Sequence, residues 1–465
     1  MAASSAPTMG SVDVPEEKIQ AFKEDLRGVL LRPEDDGFDI ARKVYNAMID
    51  KHPALIVRCA GVADVIAAVT FARANNLLVA VRGGGHNVAG NALCDGGIVI
   101  DLSGMRAIRV DPARRTARAE PGVTYREFDH ETQAFGLATT GGTISATGIA
   151  GLTLGGGFGW LTRQYGLACD NLLSVDMVMA DGRFLTASAT ENADLFWGVR
   201  GGGGNFGIVT SFEYQLHPVG PVLGGLLVHP LPKAREALQF YRDFTRTAPD
   251  ELAVFAALLT NPDGSRVIAF IVCYNGPIEQ GERVIAPLRQ FGPPVADMVQ
   301  PIPYTTMQTM LDDGFPNGLQ NYWKSSFLQE ISDDAIDTMI AHFTAAPSPL
   351  SAMVIEQFGG AGARVGKGET AFSHRDGHSN FLIVSRCVDS SEIARNIMWA
   401  RAAWTAMQPF SDGGVYSNYV EAGTEGADRI RAAYGSETYE RLATLKKKYA
   451  PTNFFRVNQN IMPSA

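Results

Sequence analysis

The first part of the chain alternates short apolar runs with stretches of helical periodicity. Leu55–Arg58 is an apolar run typical of a buried strand, and a second run follows at Leu77–Val81. Between them, apolar residues recur at the spacing of one helix face, at Val62, Val65, Ile66, Val69 and Ala72. The pattern predicts a β-α-β unit whose last strand leads into a glycine-rich stretch.

More strands and a capped helix continue this first domain. Thr124 and Glu127 have the spacing of a capping box, which predicts a helix from there through Phe135, closed by Gly136. Apolar runs predict strands at Gly96–Leu102, Ile108–Val110, Thr116–Ala119 and Ile208–Leu216. The alternation of strands and helices favours an α+β or α/β domain.

The pattern changes after His217–Pro221, which we take as a domain boundary. Long strands at Leu252–Thr260 and Arg266–Tyr274 alternate with amphipathic helices at Lys233–Phe244, Glu279–Phe291 and Ser391–Met407. Such a series predicts an open antiparallel sheet backed by helices. Two final helices, at 428–434 and 437–449, precede a segment at 453–461 that we expect to return to the first domain.

The stretch Val81–Gly90 contains four glycines around one imidazole, that of His86. A backbone so free of side chains can bring its N–H groups close to an anionic group. A literal Gly-x-Gly-x-x-Gly at Gly202, Gly204 and Gly207 is not read as a nicotinamide fingerprint. That motif opens a helix, whereas Ile208–Leu216 alternates like a strand.

Composition narrows the possible partners. The 465 residues are enough for two domains, and 40 basic against 49 acidic residues give a net charge of -9, which disfavours nucleic acids and anionic membranes. The first twenty residues lack a signal-peptide pattern, and no run of about eighteen apolar residues occurs, so a cytoplasmic protein is expected. The five scattered cysteines lack paired metal spacing, so no metal is expected.

Several motifs in a fixed order span nearly the whole chain, at Arg82–Gly90, Gly151–Gly159, Arg163–Asn171, Asp194–Gly207 and Asn453–Asn460. By these motifs the chain resembles the berberine bridge enzyme-like flavoproteins of the vanillyl-alcohol oxidase/PCMH-type FAD superfamily. The resemblance implies an α+β fold, with a PCMH-type FAD-binding domain of two subdomains and a substrate domain with an antiparallel sheet backed by helices. We assign a mobile tail to 1–15, the FAD-binding domain to 16–218 with its core from about 50, the substrate-binding domain to 219–419, and the returning C-terminal segment to 420–465.

The resemblance also implies how FAD is held. His86 would carry a covalent bond to the flavin 8α-methyl group, the alternative being a turn histidine bonded to the backbone. The small-residue stretch Thr139–Gly151 would contact the isoalloxazine ring and ribityl chain, and its interleaved apolar residues argue against a surface linker. The other expected FAD-binding residues are Arg82, Gly83, Gly84, Gly85, Asn87, Val88, Gly90, Thr140, Gly141, Thr147, Gly148, Gly151, Gly156, Gly157, Gly159, Asn171, Gly207, Ile208, Val209, Asn458 and Asn460.

Oxidation by a flavin also needs a base for the substrate proton. The resemblance points to Tyr416 in the expected strand Val415–Tyr419, with Tyr419 on the opposite face as the alternative. His374 and Arg375 could favour its phenolate, although a salt-bridged surface arginine is an equal alternative. Tyr165 and Trp323 are candidate pocket walls, or simply core residues.

The chain departs from its relatives at several positions. Val88 stands where many members carry a tyrosine. By the resemblance, Phe381 and Ile383 match the positions of the acidic base in alkaloid-type members, which disfavours that chemistry. Ile144 occupies the position of a second, cysteinyl flavin link, so we expect singly linked FAD and a small or medium substrate.

The function expected on this basis is an FAD-dependent oxidase that takes hydride from an alcohol or sugar hydroxyl carbon, with molecular oxygen as acceptor and hydrogen peroxide as product. A dehydrogenase with a quinone or protein acceptor and an amine oxidase resembling 6-hydroxy-D-nicotine oxidase are the enzymatic alternatives. A flavin-carrying binding protein is the non-enzymatic one. The oligomeric state stays open.

Overall fold

The computed structural model describes residues 14–376, 379–421 and 426–464. Most of the tail expected at 1–15 lies outside these residues. The described elements build a four-stranded sheet, a five-stranded sheet and a two-stranded sheet in the first domain, one large sheet in the second domain and a helical C-terminal segment.

The first sheet contains the predicted β-α-β unit. Its strands run in the order β1-β2-β4-β3, with β4 parallel to both β2 and β3 and β1 antiparallel to β2. These elements are β1 (Val29–Leu31), β2 (Leu55–Arg58), β3 (Val79–Arg82) and β4 (Ile98–Asp101), with helices α1 (Glu16–Asp25), α2 (Phe38–Ala41) and α3 (Val62–Ala74). Val65, Val69 and Ala72 of α3 are buried against this sheet, as their spacing predicts.

The second sheet is antiparallel, in the order β5-β6-β10-β8-β9. The helix expected after Thr124 is present, and its capping box is formed by a 2.8 Å bond from the Thr124 N–H to Oε2 of Glu127. The strands are β5 (Ile108–Asp111), β6 (Thr116–Ala119), β8 (Leu172–Met179), β9 (Phe184–Ser188) and β10 (Gly207–Gln215), and β7 (Leu137–Ala138) pairs separately with β11 (His217–Pro218). The helices are α4 (Tyr125–Gln133), α5 (Ile149–Leu154), α6 (Thr162–Tyr165) and α7 (Ala193–Val199). Gly207 therefore opens a strand, which confirms that the Gly-x-Gly-x-x-Gly match is not a Rossmann fingerprint.

The second domain is built on an antiparallel sheet in the order β15-β12-β14-β13-β18-β19-β17, with β16 also paired to β12. One face packs on helices, with Val254, Leu258, Ile355 and Phe381 in that core. The strands are β12 (Val222–Pro230), β13 (Leu252–Thr260), β14 (Arg266–Tyr274), β15 (Ala296–Asp297), β16 (Gln300–Ile302), β17 (Gln320–Leu328), β18 (Ala352–Gln357) and β19 (Ser379–Cys387). The helices are α8 (Ala234–Thr245), α9 (Ile278–Gln290), α10 (Tyr304–Thr309), α11 (Asp333–Thr344), α12 (Ala361–Arg364) and α13 (Ile393–Met407). The predicted α+β class, with an antiparallel sheet backed by helices, is confirmed.

The C-terminal segment packs back on the first domain. It contains α14 (Gly426–Tyr434) and α15 (Ser436–Tyr449), and Tyr439 and Leu442 of α15 join the core around the second sheet. Within α15, the buried Lys446 ammonium donates to the Asn205 side chain, to the Phe455 carbonyl and to the Asn460 side chain. These bonds attach the last residues of the chain to the glycine run before β10.

Candidate active site

A cavity of about 520 Å³ lies between the glycine-rich loop and the face of the large sheet opposite its main helix-backed core. The first domain lines it with the loop from Gly83 to Val88, residues between Gly142 and Leu154, and the start of β10. The large sheet lines it with residues of β13, β14, β18 and β19, and the C-terminal segment adds Phe455 and Val457–Gln459. The cavity therefore joins all three parts of the chain.

The glycine-rich loop presents His86 to this cavity. Gly84 passes so close to Gly148 that a Cβ on Gly84 would lie 2.6 Å from the Gly148 Cα, so a larger residue would separate the two loops. Nε2 of His86 is buried and has no hydrogen-bond partner among the described residues. Burial lowers the pKa of His86 to about 4, so the imidazole is neutral at pH 7 and carries a free lone pair.

The part of the cavity within the first domain fits FAD. Gly151 and Gly204 both line it, and a Cβ built on either meets no atom of the described residues within 4 Å. Two lining residues, His86 and Asn458, have a buried side-chain atom without a hydrogen-bond partner in the described part of the chain. Bare backbone and unsatisfied polar atoms at the same surface are features of a polar ligand site. The residues present are thus compatible with the FAD implied by the resemblance.

The structure separates the expected FAD-binding residues into two groups. Those that line the cavity are Gly83, Gly84, Gly85, His86, Asn87, Val88, Thr147, Gly148, Gly151, Gly207, Ile208, Val209 and Asn458, and Gly142, Thr143 and Ile144 join them. Those that do not line it are Arg82, Gly90, Thr140, Gly141, Gly156, Gly157, Gly159, Asn171 and Asn460. In this second group, the Thr140 hydroxyl donates to the Gly166 carbonyl at 2.7 Å and the Asn171 amide donates to the Leu167 carbonyl at 2.8 Å. Such side chains hold the surrounding loops instead of facing the cavity.

The segment Val415–Tyr419 is not the strand expected from the sequence. It forms a turn of 3-10 helix over Ser417–Tyr419, and this turn brings Tyr416, Asn418 and Tyr419 to the same cavity. The two tyrosine rings meet edge to face, with centroids 4.9 Å apart. The expectation that only one tyrosine faces the cavity is therefore wrong, because it rested on strand alternation.

The Tyr416 hydroxyl accepts two hydrogen bonds. One comes from the Gly157 N–H at 3.0 Å and the other from the Asn418 side-chain amide at 2.9 Å. Burial nevertheless raises the pKa of Tyr416 well above its usual value. Neither donor is a cation, so Tyr416 is a neutral phenol at pH 7.

Glu356 on β18 is a buried carboxyl group of the cavity that the sequence analysis missed. Its Oε1 accepts from the Tyr419 hydroxyl at 3.2 Å, and its Oε2 accepts from the Asn380 amide at 2.6 Å. Burial raises the pKa of Glu356 to about 7. In the described part of the chain no cation forms an ion pair with it. Glu356 is the one charged residue of β18, but this feature of the sequence does not by itself assign it to a site.

Of the four residues expected at the substrate pocket, only Trp323 lines the cavity. Arg375 is buried in an ion pair, with its two Nη atoms each 2.7 Å from an oxygen of Asp170. Nε2 of His374 contacts the Ala432 carbonyl at 2.9 Å, and Tyr165 stacks on His217 with centroids 4.0 Å apart. The assignment of Tyr165, His374 and Arg375 to the pocket is therefore wrong, because each is engaged in holding other segments together.

Phe381 and Ile383 are also absent from the cavity. They face the helix-covered core of the large sheet, whereas their neighbours Leu382 and Val384 line the cavity. The two residues matched to the acidic-base positions from the sequence therefore face away from the cavity, because alternate residues of a strand point to opposite faces of the sheet. The acidic group comes instead from the adjacent strand, where Glu356 pairs with Asn380 across β18 and β19.

The five cysteines are buried and free, and none lines the cavity. Ile144, at the position expected for a second flavin link, does line it. Across residues 14–376, 379–421 and 426–464, no cluster of three or more metal-binding side chains occurs. No helix in those ranges has both the length and the apolarity needed to cross a bilayer.

Comparisons with known proteins support an FAD-binding protein. Residues 53–188 match the family described as "FAD binding domain", and residues 415–462 match "Berberine and berberine like". An FAD-linked oxidoreductase of Dictyostelium discoideum is 33% identical over 450 residues, which cover 96% of this chain and 97% of that protein.

The (R)-6-hydroxynicotine oxidase of Paenarthrobacter nicotinovorans is 33% identical over 459 residues, which cover 94% of this chain and 97% of that protein. The crystal structure of 6-hydroxy-D-nicotine oxidase from Arthrobacter nicotinovorans superposes with a TM-score of 0.87 at 30% identity, covering 94% of this chain and 98% of that one. With these matches along nearly its full length, the chain belongs to the berberine bridge enzyme-like FAD-linked oxidoreductases.

Proposed function

We propose that this enzyme is an FAD-linked oxidase that removes hydride from the hydroxyl-bearing carbon of a small, largely apolar alcohol. The observation that carries the proposal is the cavity that runs from His86 to the hydrogen-bonded pair of Tyr419 and Glu356. When bound, FAD supplies a hydride acceptor at N5. The protein must then supply a group that accepts the hydroxyl proton.

Glu356 is the proton acceptor in this proposal. With a pKa of about 7, a large fraction of this carboxyl group is ionised at neutral pH, which is the property of an efficient general base. The Tyr419 hydroxyl already donates to Oε1 of Glu356. It can accept the proton of the substrate hydroxyl as it passes its own proton to the carboxylate.

Tyr416, the base predicted from the sequence, has a different role in this scheme. Its raised pKa keeps it protonated at neutral pH, so it is a poor proton acceptor. Its hydroxyl already accepts two hydrogen bonds, which leaves its own proton free to donate. We assign it the hydrogen bond that orients the substrate oxygen.

The cavity lining supports an apolar alcohol over a sugar. Among the lining residues of the large sheet, Glu356 and Arg386 carry the charged groups, and the Arg386 guanidinium already donates to the Leu350 and Gly314 carbonyls. The rest of this wall is largely apolar, with Phe255, Ala257, Leu259, Ile271, Trp323, Ala352, Val354, Leu382 and Val384. Most hydroxyl groups of a sugar would lose water here without gaining a partner, which costs on the order of 1–3 kcal/mol for each.

Oxidation of a cyclic amine is the second candidate. A buried carboxylate without a cationic partner in the described chain is the complement of an ammonium group. A relative that is 33% identical is named (R)-6-hydroxynicotine oxidase. In this reading Glu356 would bind the amine and take its proton.

Covalent attachment of FAD through His86 and reoxidation by molecular oxygen are further parts of the proposal. The neutral imidazole of His86, whose Nε2 has no hydrogen-bond partner among the residues that the structure describes, supports the covalent link. Ile144 and the absence of any cysteine from the cavity lining support a single link.

Anaerobic bleaching of the flavin absorbance tests the function. The panel contains apolar secondary alcohols, mono- and oligosaccharides, and cyclic amines, each mixed with the enzyme and with Glu356→Gln. Bleaching by alcohols alone supports the first candidate, bleaching by amines alone selects the second, and efficient bleaching by sugars contradicts the argument from the lining. Admitting oxygen to the reduced enzyme and measuring peroxide distinguishes an oxidase from a dehydrogenase.

A further inference from the structure

The imidazole of His86 is stacked on the phenol ring of Tyr45. The ring centroids are 4.0 Å apart and the planes differ by 14°. Tyr45 lies between α2 and β2, outside the motifs that identify the flavin-binding loop. It does not line the cavity, and only 3% of its surface is exposed. Its ring therefore faces His86 from behind, on the protein side of the loop.

Tyr45 is held by hydrogen bonds from its backbone N–H and from its side-chain hydroxyl. Its N–H donates to the Gly85 carbonyl at 3.1 Å, and its hydroxyl donates to Oδ1 of Asn321 at 3.3 Å. The next residue, Asn46, donates from its amide to the carbonyls of Val88 at 2.9 Å and Asn321 at 2.8 Å. Residues 45–46 are thus hydrogen-bonded to the backbone before and after His86, at Gly85 and Val88, and also to Asn321 of strand β17 in the other domain.

We propose that Tyr45 is the positioning residue that holds the His86 ring for covalent attachment to FAD. The inference rests on the covalent link in the proposed function. A residue that only filled space would need volume at position 45 but no planar ring. A positioning residue needs the planar ring, because face-to-face contact fixes the orientation of the imidazole and keeps water from that face.

The attachment step balances when oxygen is included. A bond forms between one imidazole nitrogen of His86 and the 8α-methyl carbon, and one N–H and one C–H bond are broken. The two electrons released reduce the flavin, and molecular oxygen then accepts them with the two protons to give hydrogen peroxide. The effect of Tyr45 is on the alignment of the nitrogen with the carbon.

The test measures the covalent attachment of FAD itself and does not depend on substrate oxidation. Wild type and variants are expressed under riboflavin limitation and incubated aerobically with excess FAD. Covalent flavin is measured as fluorescence of the denatured protein band, and released FAD is measured in the acid supernatant. We expect Tyr45→Leu to slow attachment about tenfold or more, because one misaligned reacting group can cost a hundredfold. Tyr45→Phe, which keeps the stack, should stay within about twofold.

The chain offers a matched control in Tyr165, which stacks on His217 at the same 4.0 Å but lies outside the cavity. Tyr165→Leu should attach FAD at the wild-type rate. Tyr45→Met, which fills space without a planar ring, replaces the leucine variant if that one fails to fold. Wild-type attachment in a folded Tyr45→Leu or Tyr45→Met would overturn the role of Tyr45.

A background lacking the histidine separates positioning from general support. In the His86→Ala protein, the further change Tyr45→Leu should not weaken the retention of non-covalently bound FAD. If Tyr45→Leu lowers FAD retention equally with and without the His86→Ala change, Tyr45 only supports the loop. An absence of covalent flavin in wild type would overturn this inference together with the proposed link. The bleaching assay would still decide the oxidase function independently.

Discussion

The Tyr419 hydroxyl donates a 3.2 Å hydrogen bond to Oε1 of Glu356, and both side chains line the cavity. The bond joins the turn after α13 to the middle of the large sheet, two parts of the chain that are far apart in sequence. It connects a phenol that is neutral at pH 7 to a carboxyl group whose pKa burial raises to about 7. In the reaction that we propose, the pair would take up the substrate proton within the neutral pH range.

The first prediction concerns the pH dependence of flavin reduction. If Glu356 is the base, only its ionised form reacts, so the rate should rise with pH and level off above about pH 7, its folded-state pKa. Glu356→Gln should lower the rate on the order of 10²–10⁴-fold and remove this limb of the profile. Anaerobic stopped-flow measurements across the range give both quantities. A glutamine variant with the wild-type profile would exclude Glu356 as the base.

The second prediction compares the two tyrosines. Tyr419→Phe interrupts the path to Glu356, whereas Tyr416→Phe removes a hydrogen bond to the substrate oxygen, which is worth about 0.5–1.5 kcal/mol. We expect the Tyr419 variant to lose more of the reduction rate than the Tyr416 variant. A loss of 10²–10⁴-fold in Tyr416→Phe, with less than about tenfold in Glu356→Gln, would restore Tyr416 as the base.

The third prediction is that His86→Ala abolishes covalent flavin. Acid precipitation should give a yellow pellet for wild type and a colourless pellet with yellow supernatant for the variant. Because burial lowers the pKa of His86 to about 4, attachment should keep the same rate from about pH 8 down to about pH 6. Peptide mapping should find one modified peptide, containing His86. A flavin adduct on any cysteine would contradict the single link.

Local patterns in the sequence were sufficient for much of the fold and for the flavin loop. The strands at Leu252–Thr260 and Arg266–Tyr274 have the bounds that the apolar runs predict, and the capping box at Thr124 is formed. These features depend on neighbours within a few residues. The same holds for the loop around His86, whose glycines mark a close approach of backbone segments.

The acidic group of the site could not be found in this way. Up to Glu356 the strand is apolar on both faces, because one face covers the helix-backed core and the other lines the cavity. The alternation of apolar and polar residues then does not indicate which face of the strand is functional. The assignment requires the pairing of β18 with β19, which brings Asn380 to Glu356. Tyr45 was missed for the same reason, since its partners lie in a loop and a strand far along the chain.

The last prediction concerns Arg375, which the sequence suggested as a cation beside Tyr416. In the structure its guanidinium is 2% exposed and makes two 2.7 Å bonds to the carboxylate of Asp170, itself 8% exposed. Arg375→Leu would leave that carboxylate buried without its cation. Loss of one partner of a buried pair costs about 3–5 kcal/mol of unfolding free energy.

Arg375→Leu should therefore lower the urea midpoint strongly while the folded variant reduces its flavin at a rate close to wild type. The control is Arg364→Leu, which removes a more exposed ion pair with Asp250 and should cost less than about 1 kcal/mol. Denaturation followed by tryptophan fluorescence, together with stopped-flow reduction, measures the two effects separately. A stable Arg375→Leu whose reduction is a hundredfold slower would instead support the electrostatic role at Tyr416, because removing only a structural ion pair should not affect proton transfer.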